Sequence, residues 1–81
     1  MNNNLLIYNS VFIESFGINQ DQLIDLKYQD ISEWDSVGHM GLMGSLEEAF
    51  KIEMEIDDII DFSSYKKGIE ILLKYNILFN D

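Results

Sequence analysis

The stretch 33-EWDSVGHMGLMGSLEEAF-50 decides the fold. At 100° per residue, His39, Leu42, Met43, Leu46, Ala49 and Phe50 fall within one arc of about 120°, which predicts a helix from about Ser36 to about Phe50 with that arc on a core. The opposite side carries Val37, Met40, Gly41, Gly44, Glu47, Glu48 and Lys51. Glycine costs about 1 kcal/mol relative to alanine inside a helix, so Gly38, Gly41 and Gly44 need a reason. They serve close packing within this protein, or merely weaken the helix, or keep an outer face uncrowded for a visitor.

Upstream, 4-NLLIYNSVFIESF-16 places Leu5, Tyr8, Phe12 and Phe16 at helical spacing, with Gly17 as a natural stop. From Ile18 to Asp35 no period persists, and Leu23, Leu26, Ile31 and Trp34 stand as isolated anchors. A loop this long needs a function or a short helical turn inside it. Downstream, 56-IDDIIDF-62 predicts one or two turns opened by Asp57 and Asp58, whose charges suit a helix N-terminus. The segment 63-SSYKKGIEILLKY-75 predicts a last helix capped by Ser63 or Ser64, burying Tyr65, Ile69, Leu72 and Leu73, with Lys74 in its final turn. The expected core is Leu5, Phe12, Phe16, Leu42, Leu46, Phe50, Ile59, Ile69 and Leu72.

The chain has 81 residues, enough for one small domain. Five lysines against fifteen carboxylates give a net charge of −10, which disfavours nucleic acid and anionic membranes and favours proteins with basic patches. A hydrophobic content of 47 % argues against disorder at that charge. With no cysteine there is no disulfide or thiolate metal site. The N-terminus lacks the pattern of a secretory signal, and no run is long enough to insert stably in a membrane. A soluble, cytoplasmic, monomeric protein is expected.

Three features occur together: Asp35-Ser36 followed by an aliphatic residue at Val37, the run Leu46-Glu47-Glu48-Ala49-Phe50, and a spacing to 56-IDDIIDFSSY-65 that needs no gap. On these, residues 35–75 resemble the second half of acyl carrier proteins, small acidic four-helix carriers. The first helix and long loop match in length and apolar pattern. The resemblance implies an all-α, four-helix acyl-carrier-like bundle over residues 1–81, with a long loop between the first two helices and a short third helix.

It further implies that Ser36 is no catalytic nucleophile. A phosphopantetheinyl transferase would attach 4′-phosphopantetheine from coenzyme A to its hydroxyl, recognising Asp35, which also suits a helix cap. The arm would hold acyl intermediates as thioesters and deliver them to an acyl ligase, acyltransferase or ketosynthase of a biosynthetic pathway. Partners would dock on Val37, Met40, Gly41, Gly44, Glu47 and Glu48. Alignment without gaps puts Met43, Leu46, Met54, Ile59, Phe62, Gly68 and Ile71 where the family lines its acyl cavity, although all are ordinary core positions too. Phe62 is bulky and would shorten such a cavity, favouring short or polar cargo. Many fatty-acid carriers have an acidic residue matching Gly41, a bulky apolar one matching Gly44 and leucine matching Val37, so this sequence points to a dedicated pathway.

An aminoacyl, peptidyl or polyketide carrier would share the fold and the arm. From another class, an unmodified acidic helical adaptor would use the same outer face. A Ser36–His39 hydrolase is disfavoured because His39 turns toward the core arc and no nucleophile elbow accompanies it. Glu53, Glu55, Asp57, Asp58 and Asp61 lack the ligand alternation of a calcium loop, so a solvated acidic rim and no metal are expected.

Overall fold

Helix α1 (Asn4–Phe16) turns Tyr8, Phe12 and Phe16 inward at four-residue spacing, while Leu5 is only half-buried. Gly17 ends it at φ 65°, a left-handed conformation that glycine adopts without strain, and its N–H donates to the Ile13 carbonyl at 2.8 Å. The computed structural model describes residues 3–79. The domain expected over 1–81 therefore extends two residues beyond these at each end.

The long connection is held along its length. A short 3-10 turn, Gln20–Gln22, follows α1, and Leu23, Leu26 and Trp34 are buried. Lys27 N–H donates to the Asp30 carboxylate at 2.9 Å, and Asp30 N–H returns to the Lys27 carbonyl at 3.0 Å. Two antiparallel bonds then lace the loop to the segment before the last helix: Tyr28 N–H to Ser63 O and Tyr65 N–H to Leu26 O, each 2.9 Å. Turn bonds and a single bridge thereby give part of the loop backbone its partners.

Helix α2 (Ser36–Phe50) has the expected bounds. Its buried stripe is narrower than the expected arc: Leu42, Met43 and Leu46 are buried, His39 and Phe50 half-buried, and Ala49 exposed. Ala49 lies outside the core because it lines a surface cleft with Val11, Glu14 and Ser15 of α1. Helix α3 (Ile56–Asp61) is short and leaves Ile56 and Ile60 more than 70 % exposed. Helix α4 (Tyr65–Leu73) is capped by Ser64, whose hydroxyl accepts from Lys67 N–H at 2.9 Å. Its buried face is Tyr65, Gly68, Ile71 and Leu72. Leu73, expected inside, is exposed, because the helix packs through its Gly68 side and turns Leu73 toward a surface cleft shared with Ile69, Leu78 and Phe79.

Among the described residues, six of the fifteen buried apolar residues are aromatic, and they touch one another. Phe12 meets Tyr8, Trp34 and Tyr65 edge-on with ring centroids 5.0–5.6 Å apart, and Phe16 stacks on Trp34 at 5.5 Å. Such pairs contribute about 0.5–1.5 kcal/mol each beyond area burial. The buried hydroxyls are partnered: Tyr8 donates to the Tyr65 carbonyl at 2.7 Å and Tyr65 donates to Asn9 Oδ1 at 2.6 Å. Among the described residues the architecture is four α-helices with a long first loop and a short third helix, the expected acyl-carrier-like topology. None of these helices is long and apolar enough to cross a membrane.

Candidate functional site

Trp34 is fully buried and wedged against Phe12 and Phe16, which fixes where the loop ends and α2 begins. The next residue, Asp35, is extended (φ −100°, ψ −170°) and caps α2, its Oδ1 accepting Gly38 N–H at 2.8 Å. Ser36 is the first helical residue and is exposed. The first turn of a helix leaves amides without intrahelical acceptors and concentrates positive partial charge, so the Ser36 hydroxyl stands where an anionic substituent is favoured.

The three glycines divide. A Cβ on Gly38 would collide with the Glu33 carbonyl, because the loop folds back across the first turn. Gly38 thus serves close packing within the protein. Gly41 and Gly44 have no neighbour within 4 Å of where a Cβ would stand. None of the described residues requires them to be small. Beside them Val37 is 79 % and Met40 57 % exposed. The carboxylates of the same helix behave differently from one another: Glu47 is half-buried and accepts Met54 N–H at 2.8 Å, steadying the α2–α3 link, while Glu48 lines the cleft of about 410 Å³ between α1 and α2.

His39 has both ring nitrogens engaged. Trp34 Nε1–H donates to Nδ1 at 2.9 Å, which leaves Nε2–H to donate to the Ile59 carbonyl of α3 at 2.8 Å. Neither nitrogen is offered to Ser36 as a base. Of the residues aligned with an acyl cavity, Met43, Leu46, Met54, Phe62, Gly68 and Ile71 are buried in the core and Ile59 is half-buried. The Phe62 ring and the Tyr8 hydroxyl lie directly over the Gly68 backbone.

Of the acidic cluster, Glu53, Glu55, Asp57 and Asp61 are exposed and Asp58 departs from the expected rim. Asp58 is not part of a solvated rim: it is buried, with Lys74 Nζ and the Tyr75 hydroxyl each donating to its carboxylate at 2.5 Å. The Lys74 ammonium, then the Tyr75 hydroxyl, hold its pKa below the usual carboxylate value, and Asp58 in turn raises that of Lys74. Tyr75 oxygen also accepts Glu55 N–H at 2.9 Å; Lys74, expected in the final turn of α4, follows it as the C-cap, so the segment just after α4 grips the start of α3. Sequence reasoning missed this clamp, the Trp34–His39–Ile59 chain and the exposed Ile56 and Ile60. Only the last had a local signal, since Ile56 and Ile60 lie four apart on a short helix.

Compared with protein-family models, curated proteins and solved structures, the chain gives no match.

Proposed function

We propose that the protein is an acyl carrier: Ser36 accepts 4′-phosphopantetheine from coenzyme A, and the chain presents thioester-bound acyl groups to the enzymes of a biosynthetic pathway. The observation that supports this best is the placement of Ser36, exposed on the first turn of a helix whose cap, Asp35, is locked in place by Gly38 N–H and whose loop is anchored by Trp34. A backbone so held has little freedom to lose when an enzyme engages the serine it carries. The fold is compatible with a small helical carrier.

In the loading step the Ser36 Oγ forms a bond to the phosphorus nearer the pantetheine, and the pyrophosphate linkage of coenzyme A breaks. Adenosine 3′,5′-bisphosphate leaves and the hydroxyl proton passes to a base of the transferase. Once attached, the arm supplies the thiol that this cysteine-free chain lacks. The chain's own residues contribute position and surface. Val37 and Met40 offer exposed apolar anchors, Gly41 and Gly44 allow close approach, and the net charge of −10 favours encounter with basic enzyme faces.

Incubation with coenzyme A and a broad-specificity phosphopantetheinyl transferase, followed by intact-mass measurement, tests the proposal. One phosphopantetheine adds to the wild type and none to Ser36→Ala, whose helical circular dichroism is unchanged. No mass gain in the wild type supports the unmodified adaptor instead, for which the same apolar face would be the binding surface.

A further inference from the structure

Between α2 and α3 runs a seam one turn along from Ser36. His39 crosses it. Its ring is pinned by Trp34 on one side and bonded to the Ile59 carbonyl on the other, and it sits among aromatic neighbours: side by side with Trp34, the two ring planes 14° apart, and edge-on to Tyr28 at 5.6 Å and to Phe62 at 6.2 Å. Behind it Phe62 is 1 % exposed and fills the space above Gly68. Outside lies a small cleft of about 220 Å³ lined by Tyr28, His39, Ile60, Phe62 and Ser63.

We propose that His39 is a latch across this seam and, with Phe62 as the plug beneath it, determines which cargo the protein accepts by keeping the acyl group outside the core. This rests on the carrier reading of Ser36. Opening the seam requires two losses together, the Ile59 bond and the edge contact with Phe62, and the Trp34 bond holds the His39 ring in the position that makes both. Entry of a chain then requires displacement of a ring already held between Phe12, 6.4 Å away in a stacked arrangement, and the Gly68 backbone. A flexible alkyl chain has only its own burial to offset these. Cargo that gains nothing from burial, short or polar, loses nothing by staying out.

The test loads the wild type and His39→Ser with butanoyl, octanoyl and dodecanoyl phosphopantetheine and measures thermal midpoints. A buried methylene would raise the midpoint by about 3–6 °C. The wild type should hold its midpoint within about 1 °C across the series, far below that increment. His39→Ser should show a rise with chain length, and Phe62→Leu, which thins the plug without removing it, a smaller one. If His39→Ser does not fold, the wild-type series and Phe62→Leu still decide. Loading of the wild type with stepwise stabilisation by longer chains would overturn the latch alone. Failure of the wild type to gain any arm would overturn the carrier reading, and is seen in the mass spectrum before any melting is done.

Discussion

The Phe62 ring lies against the Gly68 backbone so closely that a methyl group on Gly68 would collide with it and with the Tyr8 hydroxyl. Both obstacles are fixed, Phe62 by its burial and Tyr8 by its bond to the Tyr65 carbonyl. Gly68→Ala should therefore destabilise by about 1–3 kcal/mol through overpacking, despite the gain in helix propensity. Gly38→Ala should also destabilise, since the obstacle there is the Glu33 backbone. Gly41→Ala and Gly44→Ala meet open space and should each stabilise by about 0.5–1 kcal/mol. Urea unfolding of the four variants reads the signs. Stabilisation by Gly68→Ala would show that the ring is free to move away.

Asp58 makes the attachment of α3 to α4 sensitive to acid. Its native pKa is depressed by Lys74 and Tyr75, so its contribution is complete above the unfolded carboxylate value, about pH 4, and is lost as pH falls from there through the lower native value. Asp58→Asn keeps the shape and loses the charge. It should lower stability at pH 7 by about 1–3 kcal/mol, the range for a charge-assisted bond to a buried group, with the gap to wild type closing at the acid end. A gap constant from pH 7 to pH 2 would show that the carboxylate's charge plays no part.

Tyr8 sets the opposite limit. Burial, reinforced by Tyr65, raises its hydroxyl pKa well above the usual value, so the unfolded chain ionises first and stability falls as pH rises beyond about 10. Tyr8→Phe removes the donor to the Tyr65 carbonyl and should cost about 0.5–1.5 kcal/mol at neutral pH. It also removes the ionisable group, so the variant should lose less than the wild type between pH 10 and pH 11. Parallel alkaline limbs in the two proteins would refute this.

The periodic parts of the fold were legible in the chain, and the reasons are local. The bounds of α1 and α2, Gly17 as a stop, a serine cap at Ser63 or Ser64, which the structure places at Ser64, and Leu23, Leu26 and Trp34 as loop anchors all follow from spacing and capping chemistry. What was illegible depends on pairings distant in sequence. Asp58 with Lys74 and His39 with Ile59 carry no periodic signal, and only the folded chain brings them together. Leu73 failed for a related reason: Ile69 and Leu73 are as well spaced as Gly68 and Leu72, and the packing of Phe62 and Tyr8 onto a glycine chose the other face. At the candidate site, position was legible at Ser36, but the sequence treated three glycines alike where the structure separates Gly38 from Gly41 and Gly44.

Asp35 combines a structural duty with a proposed recognition role, and two substitutions separate them. Its Oδ1 caps α2 through Gly38 N–H at 2.8 Å, a task that asparagine performs almost equally well and alanine cannot. Asp35→Ala should cost about 0.5–2 kcal/mol and let the first turn fray, which also loosens the hold on Ser36. Asp35→Asn should stay within about 1 kcal/mol of wild type, losing only the favourable charge at the helix end. If the transferase reads the carboxylate, Asp35→Asn will be modified at Ser36 many times more slowly than wild type although equally folded. If Asp35 matters only as a cap, Asp35→Asn will be loaded at the wild-type rate and Asp35→Ala alone will be slow. Initial rates of mass gain, measured beside thermal midpoints for the three proteins, distinguish the two, and equal rates in wild type and Asp35→Asn would remove Asp35 from the recognition motif.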